Sequence, residues 1–429
     1  MAPKIIELDG RTGEGGGQLV RVAVGLAALT TQPVKITNVR GNRPGGRGGG
    51  LKSQHVTSIQ WLAQVTDAET EGLSVGSKTL TFSPRRRPTE LVSRNFRIEA
   101  DSGAASTLLI LQAILPFLLF SGTAAAGEDG GKEEEEPIVL SIVGGTNVSF
   151  SLSFEYLDQV LLPTLEERFG VRAERELKDR AWSLGRSSGK GEISLKIHPL
   201  PRGEALHFQP LPGRYLPSPS IEAHDEVKSV DVSIITSGLP QSEVQEHLVK
   251  HLGHLFPNAD VSFKVTEDSG DVARWYILLV AKSATGIRWG RDALVSMPKK
   301  TRSAGIWAGQ VARQVCKDLY KEVSLGGQVD EHLQDQVVVF QALSKGYSSL
   351  PRGDDTGEQS SSTETPLVDE LGTLQIRPGG RMRREKAVEP FGHGSLHTQT
   401  ARWVVSELLP GVKFFNKGDI VEGVGFTLS

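Results

Sequence analysis

The residues whose types and spacing carry chemistry lie toward the two ends of the chain. Gly13-Glu14-Gly15-Gly16-Gly17-Gln18 runs directly into an apolar periodicity (Leu19, Val22, Ala23, Leu26, Leu29) that predicts a helix over Gln18 to Leu29. A glycine-rich turn feeding a helix N-terminus offers free backbone N–H groups and the positive end of the helix dipole, which together make an anion site. No Gly-Lys-Ser/Thr follows, and the Gly-x-Gly-x-x-Gly dinucleotide spacing is absent, so neither of those phosphate-binding loops is present. Glu14 in the middle of such a turn repels phosphate unless a divalent cation lies between them. Arg21, three residues after Gln18, falls on the same helix face. The motif alone is equally compatible with a tight strand–helix turn carrying a solvated glutamate.

Arg40-Gly41-Asn42-Arg43-Pro44, then Arg47, then Gln54-His55 form a second group. Guanidinium groups at a strand end can clamp phosphate bidentately. The triple run Arg85-Arg86-Arg87 reads more simply as a solvated loop. Gln112 and Pro116 interrupt an apolar helix expected over Ala104 to Phe120, and a Gln among Leu and Ile needs hydrogen-bond partners or a cavity to face. Asp330-Glu331-His332-Leu333-Gln334-Asp335-Gln336 places three acids and two amides at a helix start, where acids also serve as plain dipole partners. His393 to Thr400 precedes a last helix expected over Ala401 to Leu409. An imidazole at a helix N-terminus is biased toward its uncharged, nucleophilic form, and the same helix end holds an attached phosphate well. A lone histidine decides nothing by itself.

These groups need a frame. Short strands are expected at Ile5 to Leu8, Pro33 to Val39, Thr79 to Phe82, Asn95 to Ile98 and Ile138 to Ile142. Helices are expected at Ser53 to Gln64, Tyr156 to Phe169, Ala304 to Glu322 and Asp330 to Leu343. Strands and helices alternate, which predicts a mixed α/β class. The layout from Leu51 to Ser153 echoes the first fifty residues, a hint of repeated α/β units. Arg186 to Ala281 reads as a separate small α/β piece, so the expected organisation is 1–185 and 282–429 as one core and 186–281 as an insert.

Composition sets the bounds. The chain has 429 residues, ample for two or three domains, with 48 Lys+Arg against 51 Asp+Glu and a formal net charge of −3. That balance excludes a uniformly basic nucleic-acid coat, so any polyanion site must be local. One cysteine, Cys316, excludes a disulfide scaffold and a Cys-rich zinc site and fits a reducing compartment. The longest apolar stretch, Leu108 to Phe120, is too short to cross a bilayer, and the N-terminus has no signal-peptide core. A soluble chain of the nucleus, nucleoplasm or cytosol is expected. Two stretches read as solvated insertions: Ala124 to Glu136, ending in four glutamates, and Gly353 to Glu370, with six acidic residues and no Lys or Arg. A disordered loop is therefore expected near 345–371. The basic run Arg377 to Lys386 follows it and suits a solvated loop, a nucleic-acid contact or a localisation signal.

Taken in order, the motifs resemble one family. Asp9, Gly10, Gly13 to Gln18 and Arg21, then Arg40, Arg43 and Pro44, then Gln54-His55, are similar to the pattern of the RNA 3′-terminal phosphate cyclases. Gly103, Ser106, Gln112 and Pro116 continue it, as do Gly144-Gly145-Thr146-Asn147, Tyr156-Leu157 and Val329 to Gln336. His397 and Thr400, followed by Leu408-Leu409-Pro410, close it. The resemblance is collinear over nearly the whole chain. It implies three repeated βαβαββ units, each like the C-terminal domain of translation initiation factor 3, with a smaller inserted α/β domain. The implied activity is ATP-dependent conversion of an RNA 3′-terminal phosphate to a 2′,3′-cyclic phosphate through a covalent histidine–AMP intermediate.

Carried onto this sequence, the resemblance makes His397 the nucleophile and Glu14 the ligand of a divalent metal, Mg or Mn. It makes Arg21, Arg40, Arg43 and Gln54 the RNA phosphate binders. Gln112, His332, Leu333, Gln334, Asp335 and Gln336 become the ATP pocket. The implied partners are an RNA 3′ end and ATP, with no membrane and no obligate protein partner legible. The sequence departs from the family pattern at Ala401, where some members carry Asn, in extra glycines before Leu51, and in an insertion after Leu343. It also lacks a proline often found before the turn at Gly189. Two rivals share the fold: a non-catalytic ribosome-biogenesis (rRNA processing) branch, which lacks the nucleophilic histidine, and the enolpyruvyl transferases, which need no covalent histidine.

Overall fold

The computed structural model describes residues 4–42, 49–123, 135–186, 189–211, 226–238, 240–298, 303–353, 367–368, 374–375 and 382–428. The chain is mixed α/β, and one pattern recurs. In the first unit, β1 (Ile6–Asp9), α1 (Gly17–Thr30), β2 (Val34–Thr37), α2 (Ser53–Thr66), β3 (Glu69–Glu71) and β4 (Leu80–Ser83) form a sheet of order β1-β2-β4-β3. β1 and β2 are parallel, as a strand–helix–strand crossover requires, and the remaining pairs are antiparallel. In the second unit, β5 (Asn95–Glu99), α3 (Thr107–Leu119) and β6 (Ile138–Gly144) repeat the parallel crossover. Helices α4 (Phe154–Tyr156) and α5 (Leu162–Phe169), joined by a π-helical turn at Leu157–Leu161, lead to β7 (Arg172–Asp179) and β8 (Gly191–His198). The sheet order, β5-β6-β8-β7, is that of the first unit.

The next sheet breaks the pattern. β9 (Val227–Thr236), α6 (Pro240–Leu255), β10 (Asp260–Glu267), β11 (Trp275–Ser283), β12 (Arg288–Val295) and α7 (Ala304–Ser324) build a sheet of order β10-β9-β11-β12 under two packed helices. One face of this sheet (Val230, Val232, Ile234, Ile277, Leu279) meets α6 and α7 in a second hydrophobic core. Its other face (Ile235, Tyr276, Leu278, Val280) packs into the main core, so β9 and β11 are buried on both sides. After it, α8 (Glu331–Leu343), β13 (Lys345–Ser349), the short antiparallel pair β14 (Leu367–Val368) and β15 (Leu374–Gln375), α9 (Leu396–Leu408), β16 (Lys413–Phe415) and β17 (Ile420–Val424) follow. The order β13-β17-β16 reproduces the last three positions of the repeat. The missing first position is supplied from before the insertion: His207 bridges Lys345 in parallel, and the Lys345 N–H donates to the Leu206 carbonyl at 2.8 Å. The third repeat is thus split between its first strand and its first helix.

The run of expected strands and helix placed a separate piece at 186–281, whereas the two hydrophobic cores divide elsewhere along the chain. Gly191–His198 pairs with β6 and β7, while Arg288–Val295 and α7 pack with the inserted sheet. The apolar stripe of α7 (Ala308, Val311, Ala312, Val315, Leu319) needs a sheet to cover it, and the nearest is β11-β12. β7 was not anticipated: Arg172-Ala-Glu-Arg-Glu-Leu-Lys-Asp reads as polar because it is an edge strand with one face in water. The acidic stretch expected to be solvated falls largely outside the described residues, as do 354–366 and 376–381. Of the expected loop near 345–371, Lys345–Ser349 is the ordered strand β13.

Asp330 joins three parts of this architecture. It caps α8 by accepting from the backbone N–H groups of His332 and Leu333 through Oδ1. The same oxygen accepts from Tyr156 Oη at 2.6 Å, and Oδ2 accepts from the Gly290 N–H at 2.7 Å. The carboxylate is fully buried. Removing it strands four donors in a dry site, so Asp330→Ala is expected to cost about 3–5 kcal/mol of stability, read from urea unfolding midpoints.

Candidate active site

The glycine-rich turn and the start of α9 meet. Gly13 has φ 67°, and a Cβ there would stand 2.2 Å from Thr400 Oγ1. Glycine is therefore required on two counts, conformation and space. Thr400 Oγ1 accepts from the Glu14 backbone N–H at 2.9 Å and donates to the Leu396 carbonyl at 2.6 Å. This contact brings the Glu14 carboxylate to 3.8 Å (Oε1) from His397 Nε2. The Glu14 side chain is almost wholly buried, while that of His397 is 45% exposed.

α9 begins at Leu396, five residues before the expected Ala401. Ser395 caps it by accepting from the Thr398 N–H, so His397 lies within the first turn of the helix. Thr398 Oγ1 donates to Gln334 Oε1 at 3.3 Å, fastening α9 to α8. Arg402 donates from the second turn of α9 to the His393 carbonyl and holds the approach to the helix.

Three side chains from two repeats form the inner polar knot. Arg21 Nε donates to Gln112 Oε1 at 2.5 Å, and Arg21 Nη2 donates to Gln18 Oε1 at 2.8 Å. Gln112 Nε2 donates to the same Gln18 oxygen at 3.2 Å. Gly25 permits this approach of α1 to α3, because a Cβ there would meet the Ala113 carbonyl at 2.5 Å. Burial lowers the Arg21 guanidinium to about 10, with Asp335 opposing the shift and Arg40 adding to it. Burial likewise pushes Asp335 up to about 7, against the pull of Arg21 and His332. Burial, then Arg21, Arg40 and Lys52, hold the His55 imidazole well below its ordinary value. His55 Nδ1 accepts from the Lys52 N–H at 3.1 Å, and its buried Nε2 has no hydrogen-bond partner among the described residues. A neutral histidine ringed by three cations describes a pocket that favours an anion.

Beside the knot opens a cleft of about 550 Å³. One wall is the loop from Asn147 to Ser153, after the Gly144-Gly145 turn. The other is Glu331, His332, Asp335 and Gln336 of α8 with Ser395 and His397 of α9. Gln18 and Arg21 line it, with Tyr276 and Asp292 contributed by the inserted sheet.

The sequence-derived site residues therefore fall into groups. His397, Glu14, Arg21, Gln112, His332, Asp335 and Gln336 lie in or against this region. Arg40, half-buried, acts on Arg21 and His55. Gln54 stands in the first turn of α2 beside His55. Leu333 is fully buried in the main core, and Gln334 is buried against Thr398. Helical phase turns both away from the face that carries His332, Asp335 and Gln336. Arg43 lies outside the described residues. Sequence reasoning gave no role to Gln18, Lys52, His55 or Thr400 as individual side chains. The adjacency of His55 to Gln54 was the available signal for it. Nothing local marked Thr400 as the partner of Glu14.

A model of the RNA 3′-terminal phosphate cyclase family matches residues 12–414. The chain belongs to that family. A protein named RNA 3′-terminal phosphate cyclase from Methanosarcina mazei is 33% identical over 354 residues, 81% of this chain and 89% of the relative. One of the same name from Drosophila melanogaster is 28% identical over 394 residues, 89% and 96% of the two chains. Another, from Ignicoccus hospitalis, is 31% identical over 358 residues, 81% and 87%. Residues 12–414 contain the glycine-rich turn from Thr12, the knot and His397, so the cyclase family match spans both halves of the site.

The raised Asp335 value has a thermodynamic consequence. Its neutral form is favoured by folding, so its effect on stability is nil below pH 4 and grows adverse as pH rises toward 7. Asp335→Asn keeps the neutral form at every pH. The stability difference between variant and parent is therefore expected to shift in the variant's favour by roughly 4 kcal/mol from pH 4 to pH 8. Urea unfolding across that range checks it, and a pH-independent difference would contradict it.

Proposed function

We propose that this chain is a catalytic RNA 3′-terminal phosphate cyclase, using ATP to convert an RNA 3′-phosphate to a 2′,3′-cyclic phosphate. The observation that carries this reading is the approach of His397 to Glu14, from opposite ends of the chain, at a cleft that also holds Arg21, Asp335 and Gln336. The resemblance gives the non-catalytic branch no nucleophilic histidine, so a half-exposed histidine in this place favours the catalytic one.

His397 Nε2 attacks the α-phosphorus of ATP. A nitrogen–phosphorus bond forms, the bond to the bridging oxygen breaks, and pyrophosphate leaves. An oxygen of the RNA 3′-phosphate then attacks that phosphorus and displaces the imidazole, giving an RNA end joined to AMP. The neighbouring 2′-hydroxyl attacks the RNA phosphorus, loses its proton and expels AMP. The sum is RNA 3′-phosphate plus ATP to cyclic-ended RNA, AMP and pyrophosphate. The cationic pocket of Arg21, Arg40 and Lys52 beside His55 suits the RNA phosphate, and His332, Asp335 and Gln336 suit the nucleoside of ATP. The buried Arg21 is held by two amides and keeps its charge where water cannot screen it.

Among the described residues no three His, Cys, Asp or Glu side chains form a standing metal site. A single carboxylate fits a Mg²⁺ or Mn²⁺ ion that arrives with phosphates, since such ions take one or two carboxylates and complete their shell from the substrate and water. Glu14 is the residue that would hold it, and the ion would supply charge neutralisation on the phosphates. RNA processing in the nucleus or nucleoplasm, extending to the cytosol, is the setting implied.

The expected outcome with ATP labelled at the α-phosphorus and Mg²⁺ or Mn²⁺ is an acid-labile, RNA-independent label on the protein. His397→Ala should abolish it, EDTA should abolish it, and Glu14→Ala should lower it by at least tenfold. Full labelling of His397→Ala would sink the assignment, and no label on the parent protein would return the chain to the non-catalytic branch.

A further inference from the structure

On the cleft wall formed by Asn147 to Ser153, one side chain has no structural use. Phe150 is fully exposed, at 104% of its reference surface, and its backbone sits at φ 62°. A phenylalanine rarely adopts the left-handed region, because its Cβ crowds the neighbouring carbonyl. Burial of the ring does not offset that strain, for the ring is in water. Nor is the loop slack. On one side the Ser149 N–H donates to Ser183 Oγ at 3.0 Å, and the two serine hydroxyls lie 3.1 Å apart. Ser183 in turn donates its N–H to the Asn147 carbonyl at 3.1 Å, and the Asn147 side chain is locked to buried Glu155 and Arg180. On the other side the hydroxyls of Ser151 and Ser106 lie 2.5 Å apart, with Ser106 capping α3. Two anchored serines therefore flank Phe150 and thrust its ring outward. An over-determined, strained, solvent-facing aromatic at a cleft is a device for contact.

We propose that Phe150 is a stacking platform for a nucleobase close to the 3′ end of the RNA substrate. The inference rests on the cyclase reading above and names a specificity element for it. Phe150 lines the same cleft as His397, His332 and Gln336, but it is the exposed member of its wall, whereas Asn147, Ser153 and Tyr276 on the same cleft are buried. A mononucleotide that reacts at His397 ends inside the cleft. A polynucleotide must continue out over the lip, where the ring stands. Stacking suits that position because every base has a π face, so the platform holds RNA ends of any sequence.

Two measurements test this on the full-length protein. The first is fluorescence anisotropy of a short 3′-phosphorylated oligoribonucleotide without ATP, for the parent, Phe150→Ala and Phe150→Trp. The second is RNA-independent transfer of AMP from α-labelled ATP to the protein. Phe150→Ala is expected to weaken RNA binding about tenfold, within the range seen for loss of one stacked base. Phe150→Trp should match or exceed the parent. The rate of AMP transfer should keep its parental value in both variants. An oligonucleotide with abasic sites at its last two positions should bind the parent and Phe150→Ala alike.

Equal RNA affinity of parent and Phe150→Ala overturns the proposal. So does a comparable loss of AMP transfer in Phe150→Ala, which would make the ring a platform for adenine instead. Phe150-dependent RNA binding in a protein that takes no label would sink the catalytic reading and leave this one standing. Because the ring is exposed, removal is expected to leave the thermal midpoint within about 2 °C of the parent, or to raise it.

Discussion

Everything at the site depends on a close approach between the backbone of the glycine-rich turn after β1 and a side chain, Thr400, in the first turns of α9. The contact is possible only because Gly13 lacks a Cβ, and it is held by one hydroxyl. Thr400 satisfies the Glu14 N–H with one lone pair and its own helix with its proton. A turn of glycines loses a great deal of conformational freedom on ordering, and this contact helps to offset that cost. Here the ordering is imposed from 386 residues away, and its product is a carboxylate and an imidazole facing one another across 3.8 Å.

The threefold repetition explains why such a site can exist. Each unit carries a helix between two parallel strands, and those helices, α1, α3 and α8, share the main core, with α3 packed against both of the others. They bring Gln18 and Arg21, Gln112, and Asp335 to one place. The main core around them is apolar, so these groups are charged or polar in a dry setting, and burial pushes Arg21 and Asp335 toward their neutral forms. The amides answer part of that cost by hydrogen bonding to the guanidinium. Pro116 works the other way, since it has no N–H to offer the Gln112 carbonyl one turn earlier. Such a partly satisfied polar cluster favours a charged ligand that completes it.

The inserted sheet is part of this logic. Its interruption falls between the first strand and first helix of the third repeat, at a point where the loop can lengthen without breaking the parallel pairing of His207 with Lys345. Tyr276 and Asp292 then reach the cleft from the sheet's inner face. The pieces on either side of the insertion are joined through the Asp330 carboxylate, which links α8 to Tyr156 in the second unit and to Gly290 in the inserted sheet.

The sequence by itself determined the alternation of strands and helices, the glycine-rich turn, the odd Gln in an apolar helix and the histidine near a helix start. Each follows from local periodicity or local chemistry, which a short window contains. It placed the beginning of α9 five residues late, because Ser395 and Thr398 act as a cap only once the helix has a direction. It gave no strand at Arg172–Asp179, because an edge strand with one face in water is recognised by its neighbours. It could not separate Gln334 from Asp335, since a single residue step turns a side chain from the Thr398 contact to the cleft. Only the tertiary structure decided that Thr400 serves Glu14, that His55 stands neutral among cations, and that Phe150 faces water between two anchored serines. Those outcomes depend on approaches between segments far apart in the chain, and on desolvation, which no residue possesses until the others have closed around it.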